Sequence, residues 1–181
     1  MGSAAVVHRI RQWQRSLRPH VTPSDRTFTA TLLTPVEEQL FYQMAPADQR
    51  HCLDVTYELL EMLGLAGADP GAAPHKARAV DPKLMLRAGL LHDVGKGGER
   101  IPLAARVLFS LFSRTTLERF FPGETLVGRA VRVLAGHPGR GAWMTRTFGL
   151  GEDLARVIES HHDPAVQTAE VLLLRVVDGR N

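Results

Sequence analysis

Cysteine occurs once in this chain of 181 residues, at Cys52, and lysine three times, at Lys76, Lys83 and Lys96. A lone thiol excludes an internal disulfide and fits a reducing cytoplasm. Cys52 itself reads as a small buried hydrophobe beside His51. With so little lysine, the formal net charge of +3 rests on arginine, whose planar fork suits bidentate contact with phosphate or carboxylate. No apolar stretch approaches the roughly 20 residues of a membrane span, and the first residues are too polar for a signal peptide. A soluble, cytoplasmic protein is expected. No basic stripe interleaved with aromatics is present, which argues against nucleic acid as the main partner and favours a small anionic molecule. Repeats, low-complexity tracts and alternating strand patterns are missing too, so the expected fold class is all-α.

At 44% hydrophobic content, a chain of this length buries one ordinary core and leaves no room for a separate sensor domain. The expected division is an N-terminal helical extension over 1–44 and one catalytic-type domain over 45–181. Within the extension, residues 5–18 place Val6, Ile10, Trp13 and Leu17 on one face amid Arg9, Arg11, Arg15 and Arg18. Such a helix can lie on a membrane, but one this short is expected to pack against the domain or a second subunit, which leaves a homo-oligomer open. A Thr/Pro-marked break over 21–35 leads into a helix from Pro35 through Met44. Further on, Gly64 to Val80 is a Gly/Ala/Pro-rich loop with a solvated His75. Residues 103–123 carry Phe109, Phe112, Phe120 and Phe121, read as core rather than as a lid.

What the chain does have is a convergence of imidazoles and carboxylates. Residues 88–97 read Ala-Gly-Leu-Leu-His-Asp-Val-Gly-Lys-Gly, which sets His92 beside Asp93 at the end of an apolar run. That run starts with Asp81 as cap and Pro82 in the first turn. After His51, apolar Val55, Leu59 and Met62 follow at four, eight and eleven residues, the spacing of one helix face. Leu126, Ala130, Val133 and Leu134 lead to His137, where Pro138 and Gly139 are expected to stop the helix. Leu154, Val157 and Ile158 lead to His161 and His162; Val171, Leu174 and Val177 lead to Asp178. Five helices thus aim a His or an Asp inward.

Burying several imidazoles and two carboxylates without compensation costs several kcal/mol each, on the order of a domain's whole stability. A divalent cation removes that cost. Imidazole and carboxylate ligands without thiolate suit Fe, Mn, Zn, Ni or Co.

The order His51, His92-Asp93, His137, His161-His162 and Asp178 resembles the HD-domain superfamily of metal-dependent phosphohydrolases, over residues from about 45 to 181. LLHDVGKGGERIP, GHPGRGA and ESHHDP are similar to the HD-GYP branch, which acts on cyclic dinucleotides. No Gly-Tyr-Pro follows His162, and Ala47 stands where trinuclear members of that branch have a Glu. The short link to Asp178 and the His-Pro-Gly-Arg-Gly-Ala-Trp run also look like HD-type diadenosine tetraphosphate hydrolases. The resemblance implies an HD helical bundle with a metal site at its centre, held by His51, His92, Asp93, His137, His161, His162 and Asp178, with two divalent ions. His51, His92, Asp93 and Asp178 would hold one metal; Asp93 would bridge to a second on His137, His161 and His162. Two such cations about 3.5 to 4 Å apart share a water and bring its pKa towards about 7, giving a metal-bound hydroxide that attacks phosphorus. A protein nucleophile is then unnecessary, in keeping with the lack of a Ser or Cys triad pattern. Besides Asp93, Lys96 is the expected catalytic residue, meeting a phosphate oxygen of a nucleotide-type ester or anhydride; Arg100 and Arg140 are weaker candidates for that contact. A solvated helix-end lysine, a di-iron oxygenase with the same ligands, and a non-catalytic nucleotide- or metal-binding module are the alternatives.

Overall fold

A computed structural model describes residues 21–65 and 80–181. The expected helix at 5–18, His75 and most of the Gly64–Val80 loop lie outside the described residues. Nine α-helices and one short 3-10 turn make up the described fold, and no strand occurs among these residues. The all-α fold class is what the period of the apolar positions predicted. In chain order the helices are α1 (Pro23–Leu32), α2 (Pro35–Gln43), α3 (Pro46–Met62), α4 (Pro82–Leu91), α5 (Leu103–Leu111), α6 (Arg114–Phe120), α7 (Leu126–Thr147), α8 (Glu152–Ser160) and α9 (Ala169–Asp178), with the 3-10 turn Val94–Lys96 after α4.

Helix α1 lies where a break was expected. Its start signal is explicit: Thr22 accepts from the Asp25 N–H, Asp25 accepts from the Thr22 N–H, and Pro23 occupies the first turn, a capping box with a pre-set φ. Thr34, Glu37 and Pro35 repeat the device at α2. Both helices send Leu32, Leu33, Leu40, Phe41 and Met44 into the same core as α3 and α4.

Helix α4 is the centre of the bundle. Met85, Leu86, Ala88, Gly89, Leu90 and Leu91 are all buried, and the helix packs against α1, α2, α3, α8 and α9, as an element apolar on nearly every side must. Gly89 permits the close approach of α3, since a Cβ there would stand 2.7 Å from Thr56 Oγ1. Arg87 enters this interior: it donates to Glu37, which is fully buried, at 2.8 and 2.5 Å, and to the Leu150 carbonyl at 2.8 Å. It ties α2, α4 and the loop after α7 together.

Four sequence readings are corrected by the packing. The helix of His137 does not stop at Pro138 and Gly139, because α7 runs through both to Thr147. Met62 and Leu126 are exposed, each at a helix end where the apolar stripe has passed the edge of the core. Phe112 and Phe120 are not core: they are 50% and 71% exposed, while Phe109 and Phe121 are half-buried. Helices α5 and α6 pack on one another and on α7, and reach the interior chiefly through Ala105 and Leu117.

Candidate metal centre

Each expected ligand arrives at the interior for a local reason. His51 is on α3, His92 caps the C-terminus of α4, His161 caps the C-terminus of α8, and Asp178 is the last residue of α9. His137 sits inside α7. Helix ends leave carbonyls without donors, and the histidines use them: His92 Nδ1 donates to the Gly89 carbonyl at 2.9 Å, and His161 Nδ1 to the Ile158 carbonyl at 2.6 Å. In mid-helix, Pro138 creates the same situation. Lacking an N–H, it cannot bond the carbonyl of Leu134, and that oxygen accepts His137 Nδ1 at 2.7 Å instead. A carbonyl can only accept, so in all three rings Nδ1 carries a hydrogen, and in the neutral form of each ring Nε2 carries the lone pair.

Those lone pairs converge. His137 Nε2 is 3.3 Å from His161 Nε2 and 3.1 Å from Asp93 Oδ1. His92 Nε2 lies 3.5 Å from Asp178 Oδ1 and 3.8 Å from Asp93 Oδ2, and it is the buried side-chain polar atom without a hydrogen-bond partner among the described residues. His51 Nε2 meets Asp178 Oδ1 at 2.9 Å. His162 stands at the rim, 52% exposed, with Nδ1 4.0 Å from Asp178 Oδ2. Successive rings are spaced 4.0 to 5.3 Å between centroids, from His51 through His92 and His161 to His162.

Ligand atoms close enough to share one ion fall into three sets among the described residues: His51, His92 and Asp178 on one side, His137, His161 and His162 on the other, and Cys52, His92 and Asp93 beneath them in the core. Asp93 lies between, one oxygen towards His137 and the other towards His92. The donor set fits divalent cations. Two neutral imidazole lone pairs 3.3 Å apart cannot hydrogen-bond one another, and the orphaned His92 nitrogen faces only carboxylate oxygens; both demand a proton or a cation between them.

Electrostatics agree with that demand. Burial pushes the Asp93 carboxyl up, but Lys96, His92 and His137 hold it well below the usual carboxylate range. Asp178 is likewise lowered against burial, by His51 and His92. Burial, reinforced by His92 and His162, drives His161 well below the ordinary imidazole value, keeping it neutral and ligand-ready. Burial lowers His92 as well, yet Cys52, Asp93 and Asp178 raise it well above the ordinary value: where no cation stands among those groups, a proton takes its place.

Lys96 is no solvated helix-end lysine. Its Nζ is 2.5 Å from Asp93 Oδ2 and 4.0 Å from Asp48 Oδ1. Arg140 reaches the same turn from outside, donating to the Gly95 carbonyl at 3.1 Å. Cys52 is fully buried, with its sulfur 3.9 Å from His92 Nδ1, so its neighbour in the core is His92. Burial raises its thiol.

Three supporting residues escaped the sequence reading. Asp48, buried one turn before His51, receives Arg106 of α5 at 2.6 and 2.7 Å, a bidentate pair that pins α5 beside the centre. The signal was its place in the 48, 52, 55, 59 spacing of the buried α3 face. Arg175 donates to the carbonyls of Ser160, His161, Asp163 and Val166 and so fastens the His161-His162 turn to the helix that carries Asp178. Gly95 seats the Asp93 turn on α7, since a Cβ there would fall 2.0 Å from the His137 carbonyl oxygen.

An all-helical domain that gathers histidines and two aspartates from five helices at one buried centre defines a class of metal-binding fold. The chain belongs to the HD-domain family, whose model matches residues 49–179. Comparison with curated proteins and with solved structures gives no significant match. HD domains bind divalent metals and are commonly metal-dependent hydrolases. No helix among the described residues is long and apolar enough to cross a membrane.

Proposed function

We propose that this protein is a metal-dependent phosphohydrolase that cleaves a phosphate ester or anhydride of a nucleotide-type substrate. The observation that carries this reading is the set of three imidazoles locked through Nδ1 onto backbone carbonyls, with Nε2 of His92 turned to Asp178, that of His137 to Asp93 and that of His161 to His137. Such locks fix the tautomer and orientation of ligand histidines. His51, His92 and Asp178 would hold one ion and His137, His161 and His162 a second, with Asp93 between them. Divalent cations there would supply Lewis acidity and a water acidified towards neutral pH.

The chain's own residues do the rest. Asp93, ionised and buried, is anchored by Lys96 at 2.5 Å. Lys96 is itself held charged, because Asp93 and Asp48 outweigh the effect of burial, and its ammonium offers a donor to a non-bridging phosphate oxygen at the edge of the centre. His162, half in solvent, marks the side from which substrate and water reach the buried imidazoles. Arg106 stays on Asp48 and holds α5 in place.

The test is a screen of nucleotide mono-, di- and polyphosphates and cyclic dinucleotides for phosphate-bond cleavage, after metal analysis of the purified protein. Wild-type protein turns over at least one of them, and Asp93→Ala loses about a thousandfold or more, several kcal/mol of barrier lowering, while remaining folded. Unchanged turnover in Asp93→Ala rejects the assignment. Substrate-dependent oxygen uptake by iron-loaded protein would point to an oxygenase instead.

A further inference from the structure

Outside the centre, the described residues form a groove of concentrated positive charge, about 420 Å³, lined by Glu99, Arg129, Arg132, Val133, Gly136 and Arg140. It runs along the face of α7 next to the one that bears His137. Arg140 joins it to the centre, because its guanidinium donates to the carbonyl of Gly95, in the turn between Asp93 and Lys96. Against three guanidiniums stands a single carboxylate. Glu99 meets Arg140 at 3.3 Å in an exposed pair, the kind of contact an anion displaces at little cost. Among the described residues, Arg132 donates only to the Gly123 carbonyl, at 2.9 Å, and the Arg129 side chain makes no hydrogen bond or ion pair.

From Arg129 to Arg140 is 11 residues, about 16 Å of helix axis at roughly 1.5 Å per residue. A single phosphate cannot span that distance. We infer that this groove is an anion subsite for a chain of linked phosphates, which enters from the metal centre past Lys96 and Arg140 and extends over Arg132 and Arg129. The identity of the ligand as part of a substrate rests on the phosphohydrolase reading; the groove's own preference for linked phosphates does not. Bidentate arginine contacts suit this chemistry, and a volume above about 300 Å³ is in the range of small-molecule sites. The subsite makes substrates with several phosphates between or beyond their nucleosides better fits than monophosphates.

The test is calorimetric titration of the full-length protein with inorganic tripolyphosphate and with orthophosphate at one ionic strength, metal content being measured before and after. Tripolyphosphate is expected to bind at least tenfold tighter than orthophosphate. Arg129→Gln with Arg132→Gln, both exposed and remote from the ligand set, should abolish that preference while orthophosphate affinity and metal content stay within twofold. Equal affinity for both anions in the wild type, or a preference that survives in the double variant, overturns the inference. So does tighter binding of a single-stranded oligonucleotide than of tripolyphosphate, since the groove would then serve a polymer. If the protein hydrolyses no phosphate compound, these titrations still read the groove alone, so the two failures are separable.

Discussion

Asp25 shows how single side chains were spent on stability away from the centre. Its carboxylate accepts from the backbone and hydroxyl of Thr22, from Tyr57 at 2.7 Å and from Arg50 at 3.0 Å. Burial works to raise its pKa, but these partners prevail and hold it below the ordinary 3.8, while burial and Asp25 push Tyr57 up to about 12. A carboxyl lowered by folding contributes stability above its unfolded pKa and loses it as pH falls through the folded value. Asp25→Asn should therefore cost about 1–3 kcal/mol at pH 7, the usual consequence of spoiling a buried hydrogen-bonded charge. The gap between wild type and variant should close below about pH 4, as followed by urea unfolding at several pH values. A gap that persists unchanged down to pH 2 contradicts this account. At this scale the sequence was readable for the convergence of these side chains, because each of His51, His92, His137, His161 and Asp178 ends or continues an apolar stripe of helical period. Asp48, Arg106 and Arg175 were not, since a long polar side chain acquires its partner only from tertiary contacts, here across 58 residues for Arg106 and 14 for the His161 carbonyl.

Among the elements, α7 departs most from what its sequence announces. Pro138 ordinarily ends a helix or costs it about 3 kcal/mol, yet α7 continues for nine residues beyond it. The packing of Ala130, Val131, Leu134, Gly141, Ala142 and Met144 outweighs the local penalty, and the freed Leu134 carbonyl orients His137. Propensity alone reads a stop; only the neighbours on α8 and the Asp93 turn override it. Pro138→Ala should accordingly raise the melting temperature of metal-free protein, by restoring an N–H donor to Leu134. It should also weaken metal affinity about 10–100-fold, the usual effect of losing a ligand's supporting hydrogen bond. Thermal melts with and without chelator, alongside metal titration, check both halves; an unchanged metal affinity would show that the carbonyl lock is dispensable. The same override in reverse explains α5 and α6. Their phenylalanines suggest core by composition, but α6 packs on α5 and α7, and α5 meets the rest of the fold through α7 and the Arg106–Asp48 pair, so one side of each stays in solvent.

Across the whole molecule, the fold and the centre are one construction. Helices α3, α4, α7, α8 and α9 each bring a His or Asp side chain to the centre, and the core that joins them is continuous with it. Cation binding should therefore stabilise the entire domain: at a free metal concentration of 100 times Kd, by about 2.7 kcal/mol. A differential scan of chelated and metal-loaded protein should show a single transition moved upward, and coincident melts would mean that no site is formed in the folded state. The most direct test is the metal content per chain at saturating divalent metal, for wild type, His137→Ala and Asp93→Ala. Two ions in the wild type, one in His137→Ala and none in Asp93→Ala are expected. A wild type that takes up no metal, or an Asp93→Ala variant that loads as the wild type does, would contradict the claim that these seven side chains form a divalent metal centre.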